Sequence, residues 1–188
     1  MIVGVLALQG AFREHQRALA GCGVDSILIK KPEQLEGISG LIIPGGESTT
    51  IGKLLNDFSL LEPIKKMGEE GLPIFGTCAG LILLARNIAD SEQPRLGLMD
   101  MTVERNAFGR QVNSFEADID IPALGPEPFR AVFIRAPYIL NAGSDVEVLA
   151  SFDGKIVFAR QGRFLAAAFH PELTGDLRAH RYFLEKCL

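Results

Sequence analysis

Cys78 and His170 are the two residues whose surroundings suit them to acyl-transfer chemistry. Cys78 is the centre of Gly76-Thr77-Cys78-Ala79-Gly80, between the apolar run Pro73 to Phe75 and a helical run that follows. This is the G-x-nucleophile-x-G pattern of a strand-turn-helix elbow, whose glycines allow a tight turn that lifts the central side chain out at the carboxyl end of a sheet. The amino-terminal end of a helix favours a thiolate, the form in which a cysteine attacks a carbonyl carbon. Without such a pattern a free cysteine is usually a small buried hydrophobe.

The nucleophile needs a base, and the chain has three histidines, His15, His170 and His180. His15 and His180 fall on helical stretches among Arg13, Glu14, Arg178 and Arg181 and read as solvated surface residues. His170 ends the apolar run Phe164 to Phe169, and Pro171 keeps it extended. Alternation along extended backbone then puts His170 and Glu172 on one side. Glu172 can accept a hydrogen bond from one imidazole nitrogen and turn the other toward the thiol, which makes Cys78, His170 and Glu172 a candidate triad.

An acyl-transfer site also needs donors for the developing oxyanion. Pro44-Gly45-Gly46-Glu47-Ser48-Thr49 follows the apolar run Leu41 to Ile43, and its paired glycines leave backbone N–H groups free to face a ligand. A phosphate loop is the competing reading, since Gly46 is followed by Gly52-Lys53. The spacing is one residue too long for it, and Leu54 stands where Ser or Thr would hold magnesium. A plain turn is the other alternative.

These segments have to be held by a frame, and the hydrophobic pattern predicts one. Apolar runs at Ile2 to Leu8, Val24 to Ile29, Leu41 to Ile43 and Pro73 to Phe75 read as strands. They alternate with helical stretches: one from Phe12 that stops at Gly21-Cys22-Gly23, then about Thr49 to Asp57, Leu60 to Glu70 and Ala79 to Ile88. Beyond Arg95 the predicted strands are Met99 to Glu104, Phe115 to Ile121, Ala131 to Ile134, Val146 to Phe152, Lys155 to Arg160 and Phe164 to Phe169. Asp153-Gly154 is a hairpin turn between two of them. An amphipathic helix, about Asp176 to Lys186, follows. The expected architecture is one three-layer α/β domain over residues 1–188, a mostly parallel sheet with an antiparallel extension.

Composition narrows the function classes. The 188 residues are 47% hydrophobic and 22% charged, which excludes a disordered chain. The net charge of -4, with no long basic run, argues against a nucleic-acid partner. The longest charge-free stretch, Leu72 to Ala85, has 14 residues and contains Pro73, Gly76 and Gly80, too short and broken for a membrane helix. Ile2 to Leu8 has neither a basic flank nor a small-residue cleavage site and reads as a strand, so a cytoplasmic location is expected. Cys22, Cys78 and Cys187 are odd in number and widely spaced, which argues against a disulfide framework and a zinc site.

Taken together, Gly76 to Gly80, Pro44 to Thr49 and His170-Pro171-Glu172 resemble the class I (triad) glutamine amidotransferases over nearly the whole chain. Three further stretches narrow the resemblance to the glutaminase subunits of pyridoxal 5'-phosphate synthases. They are Leu6-Ala7-Leu8-Gln9-Gly10 with Glu14-His15, Arg105-Asn106-Ala107-Phe108-Gly109-Arg110-Gln111, and Phe133-Ile134-Arg135-Ala136-Pro137. The resemblance implies a flavodoxin-like fold and hydrolysis of L-glutamine to glutamate and ammonia. It implies Cys78 as nucleophile, His170 and Glu172 as its relay, and Gly46, Glu47, Ser48, Arg105, Ile134 and Arg135 as glutamine-binding positions. Backbone N–H groups near Gly46 and Ala79 would hold the oxyanion. It implies that this chain needs no metal or organic cofactor. The implied hetero-oligomeric partner is a (β/α)8 synthase subunit, which would receive the ammonia. A glutaminase serving another synthase, such as that of imidazole glycerol phosphate, would share this chemistry. A DJ-1-like cysteine chaperone or peptidase would place a histidine directly after the elbow cysteine, where this chain has Ala79.

Overall fold

The computed structural model describes residues 1–105 and 114–188. Its strands are β1 (Ile2–Leu6), β2 (Asp25–Ile29), β3 (Gly40–Ile43), β4 (Ile74–Thr77), β5 (Ala85–Ile88), β6 (Met99–Glu104), β7 (Ser114–Ile119), β8 (Phe129–Ile134), β9 (Tyr138–Ala142), β10 (Glu147–Phe152), β11 (Lys155–Gln161) and β12 (Phe164–Ala167). The helices are α1 (Phe12–Gly21), α2 (Ser48–Asp57), α3 (Leu61–Glu69), α4 (Ala79–Leu84) and α5 (Arg178–Lys186).

Among the described residues, ten strands form one sheet in the order β2-β1-β3-β4-β12-β11-β9-β6-β5, with β10 also paired to β11. The run β2-β1-β3-β4-β12 is parallel throughout; the apolar stretches of β1, β3, β4 and β12 are those of strands covered on both faces, while the edge strand β2 alternates exposed and half-buried residues. From β12 to β6 antiparallel pairs extend the sheet, β5 joins β6 in parallel at its edge, and β7 and β8 form a separate antiparallel ladder. Asp153 (φ 50°) and Gly154 (φ 71°) turn β10 into β11 with the left-handed pair that a two-residue hairpin requires.

The layering is visible at β4. Phe75 points to one face, where its ring packs on His15 of α1 and on His180 and Phe183 of α5. Ile74 and Gly76 point to the other, against Gly68 of α3 and Gly80 of α4. Helices thus cover both sides of the sheet, and Phe75 is fully buried between β4 and two of them. Burial of such a ring is worth about 1.5–3 kcal/mol.

Two predicted elements differ, and one strand is added. The helix expected over Ala79 to Ile88 ends at Leu84, and Ala85–Ile88 leaves it to pair in parallel with β6. Strand β9 was not expected from the sequence; it joins β6 to β11. The last strand stops at Ala167, two residues before the predicted Phe169, and Pro171–Leu173 forms a 3-10 turn that carries Glu172.

Candidate active site

The ends of three adjacent parallel strands, β3, β4 and β12, converge on one cleft. At the end of β4 the elbow forms as the glycines suggest: Cys78 has φ 50° and ψ -100°, a sparsely populated conformation for a residue with a side chain. A Cβ on Gly76 would lie 2.5 Å from the backbone of Gly80, so the strand and helix approach more closely than any larger residue permits. The Cys78 N–H donates to the Ala167 carbonyl of β12 at 2.7 Å, which fixes the turn to the neighbouring strand. Cys78 itself is only 6% exposed, and its sulfur faces the cleft and the Ile134 carbonyl, 3.8 Å away.

His170 follows β12, and its N–H is held by the Val132 carbonyl of β8 at 2.8 Å. Its Nδ1 lies 2.7 Å from Glu172 Oε1. Nε2 is buried on the Cys78 side without a hydrogen-bond partner among the described residues. Burial opposes a charged ring, but the Cys78 sulfur and the Glu172 carboxylate outweigh it and push the His170 pKa up to about 10. Burial alone would push Glu172 up; the rings of His15 and His170 hold it below the ordinary carboxylate value.

The cleft is about 200 Å3. Its walls bring together every expected glutamine-binding residue, Gly46, Glu47, Ser48, Arg105, Ile134 and Arg135, with Cys78 and His170, and add Gln9 and Ile82. Ala79 is buried behind Cys78 as the first residue of α4. The Glu47 N–H donates to Gln9 Oε1 at 2.9 Å. Of the stretch Arg105 to Gln111, only Arg105 lies within the described residues.

Residues 5–188 match the SNO glutamine amidotransferase family. The chain belongs to that family. It is 77% identical to pyridoxal 5'-phosphate synthase subunit PdxT of Pelotomaculum thermopropionicum, covering all of this chain and 96% of that one. PdxT of Desulforamulus reducens is 65% identical over 98% of both chains. A crystal structure of a glutamine amidotransferase superposes with a TM-score of 0.94 at 54% identity, covering 100% of this chain and 99% of the other. The structure of PurLQS from Thermotoga maritima shares the fold at 16% identity, with a TM-score of 0.69 over 97% of both chains.

This glutamine amidotransferase corrects the sequence reading at two histidines. His15 and His180 are not solvated: both are 0% exposed. His15 Nε2 lies 3.4 Å from Glu172 Oε2 and 3.1 Å from Thr77 Oγ1, and its Nδ1 lies 2.9 Å from His180 Nε2. Burial holds His15 below the ordinary histidine value, and burial with the neighbouring His15 takes His180 down to about 3, so both rings are neutral. Their charged neighbours obscured a usable signal. Phe12, His15 and Leu19 recur at helical spacing, as do Ala179, His180, Phe183 and Cys187, and all of them are buried but the half-buried Phe12.

Gln93 was also missed. Its Oε1 accepts from Ser48 Oγ at 3.3 Å and from Arg105 Nη1 at 3.1 Å, tying together two residues of the cleft wall. Its Nε2 is buried without a partner among the described residues. A glutamine in a loop after β5 carries no pattern that would single it out.

Proposed function

We propose that the chain is a single glutaminase domain over residues 1–188 that hydrolyses L-glutamine to L-glutamate and ammonia. The ammonia passes to a pyridoxal 5'-phosphate synthase (β/α)8 subunit in a hetero-oligomer. The observation that carries the reading is the shared cleft: Cys78 and His170 face the same space, with Glu172 bonded to the far nitrogen of the ring at 2.7 Å. The relatives' description as pyridoxal 5'-phosphate synthase subunits supports the choice of partner.

The Cys78 thiolate adds to the side-chain amide carbon, and N–H groups near Gly46 and Ala79 receive the oxyanion. His170, charged through its partners, gives its proton to the amide nitrogen as the C–N bond breaks, and ammonia leaves. The neutral ring then takes a proton from water, whose oxygen attacks the thioester carbon; the C–S bond breaks, and glutamate is released with the thiolate restored. Arg105 and Arg135 supply cations for the substrate's α-carboxylate and Glu47 an anion for its ammonium. With the Glu47 N–H taken by Gln9, docking of the synthase at the edge carrying Gln9-Gly10 releases donors toward the oxyanion.

The test is glutamate and ammonia release by the purified chain, alone and with excess synthase subunit. Turnover that rises with synthase and vanishes in Cys78→Ala is the expected result. No glutamine hydrolysis in the assembled complex would overturn the assignment.

A further inference from the structure

The triad reading uses one oxygen of Glu172 and leaves three buried groups behind it unexplained. Its side chain is fully enclosed, and Oε1 is taken by His170. Oε2 has no hydrogen-bond partner among the described residues but lies 3.4 Å from His15 Nε2, which bonds to Thr77 Oγ1 at 3.1 Å, while His15 Nδ1 meets His180 Nε2. None of His15, His180 or Thr77 lines the substrate cleft.

Elementary chemistry fixes where the protons are. An ionised carboxylate only accepts, and a neutral imidazole has one N–H. If His15 carried its proton on Nδ1, the bare Nε2 would face Oε2, acceptor against acceptor. Thr77 Oγ1 can donate to or accept from Nε2, and His180 can do either at Nδ1, so the carboxylate charge decides: the proton sits on His15 Nε2, bonded to Thr77 Oγ1 with Glu172 Oε2 3.4 Å away, and Nδ1 accepts from His180 Nε2–H. The two buried atoms of this cluster left without a hydrogen bond, His180 Nδ1 and Glu172 Oε2, are then both acceptors, cheaper orphans than a buried N–H. The N–H dipoles of His180 and His15 thus point the same way, toward the carboxylate that accepts from His170 on its other oxygen.

We propose that His15, itself oriented by His180 and Thr77, is a positioning residue of the Cys78–His170–Glu172 relay: its Nε2–H, 3.4 Å from the Glu172 oxygen that His170 does not use, holds that carboxylate by charge–dipole attraction rather than by a hydrogen bond. A hydrogen bond on one oxygen and a facing N–H dipole near the other set the plane of the carboxylate, and so the direction from which His170 Nδ1–H is held. The donor's neutrality matters as much as its place. A lysine or arginine at this position would pair with Glu172 and draw its charge from His170, whereas a neutral ring orients the carboxylate and leaves the charge for the imidazolium. Burial maintains that neutrality against Glu172, which favours a charged His15, and the nearby Glu14, which favours it less; His170 opposes it.

The inference rests on the glutaminase reading, and its test separates the two. In the assembled complex, kcat, KM for glutamine and the pH dependence of kcat are measured for wild type, His15→Leu, His15→Gln and His180→Leu, with thermal unfolding of each. The pH dependence of Cys78 alkylation by iodoacetamide is measured in parallel. His15→Leu should lower kcat about tenfold to a hundredfold, as does loss of an outer partner that orients a metal-bound imidazole. KM should stay within about twofold. The acid limb should move to higher pH, because Glu172 without the facing N–H of His15 takes up a proton more readily. His15→Gln, which can place an amide N–H near the Nε2 position, should recover most of the rate and the limb. His180→Leu should show a smaller loss in the direction of His15→Leu. A folded His15→Leu with the wild-type rate and acid limb overturns the proposal, as do equal losses in the Leu and Gln variants. If His15→Leu does not fold, an unshifted limb in His15→Gln with a raised one in His180→Leu supports it, and any other ordering overturns it. If the wild-type complex fails to hydrolyse glutamine, the glutaminase reading falls, and the alkylation profiles of the same variants still decide the role of His15.

Discussion

Gly45→Ala tests whether the geometry of His170, and not only its presence, sets the rate. Gly45 has no left-handed φ, so alanine costs no backbone strain there. What it adds is a methyl group 3.0 Å from His170 Nδ1 and 3.2 Å from Cys78 Cβ, and closer still to His170 Cε1. Comfortable contacts between such atoms need about 3.5–4.0 Å, so the ring must retreat by about 1 Å. A retreat of that size takes the 2.7 Å bond from Nδ1 to Glu172 out of hydrogen-bond range and turns Nε2 from the sulfur. Misplacement by about 1 Å costs about a hundredfold in rate, or about 2.7 kcal/mol of barrier. The assay is steady-state glutamine hydrolysis with synthase in excess, with Gly175→Ala as control, because a methyl there meets nothing within 4 Å. We expect kcat to fall about a hundredfold in Gly45→Ala with KM nearly constant and the control unchanged. A folded Gly45→Ala with wild-type kcat would refute the claim that this glycine makes room for the ring.

Alkylation should select Cys78 over the other two thiols, since burial pushes Cys187 up to about 11 and also raises Cys22 despite Arg181; peptide mapping after limited iodoacetamide treatment that found Cys22 or Cys187 first would contradict this. Gln93→Leu should raise KM for glutamine about tenfold with a smaller change in kcat, because it frees Ser48 and Arg105 from a common anchor; a kcat defect at constant KM would count against that role. Acid stability should depend on His180: with its folded pKa near 3 and its unfolded value near 6.5, the unfolded chain takes up a proton between those values that the folded chain refuses, so stability falls as pH drops below about 6.5. In His180→Leu the slope of unfolding free energy against pH in that window should be shallower by about 1.4 kcal/mol per pH unit, read from denaturant titrations at several pH values; an unchanged slope would mean the ring is not buried neutral.

What the sequence disclosed depended on whether a residue's neighbours in the chain were also its neighbours in space. The elbow at Cys78, the Asp153-Gly154 hairpin and the His170-Glu172 pair are local, and turn chemistry or short spacing made each legible. The helix from Ala79 was overextended because Leu84 and Ile88 stand four apart with no breaker between them; pairing of Ala85–Ile88 with β6 overrode the local pattern. His15 and His180 were misread for the opposite reason. Arg13 and Arg181 are exposed on α1 and α5, Glu14 and Arg178 are half-buried beside them, and the contact between the two rings spans 165 positions of sequence. No short-range rule joins them.

The place of β12 in the sheet has a consequence for biosynthesis. It lies between β4 and β11, yet its residues, Phe164–Ala167, are translated after all the other strands of that sheet. On a ribosome, the emerging polypeptide therefore holds a sheet in two pieces, with open edges on β4 and β11 that invite pairing with foreign strands. Closure must await this one short segment, and long-range closure of that kind is slow. Since His170 follows directly behind it, the nascent chain cannot consume glutamine before the strand that seals its edges is in place. The same insertion event ends the hazard of aggregation and switches on the chemistry.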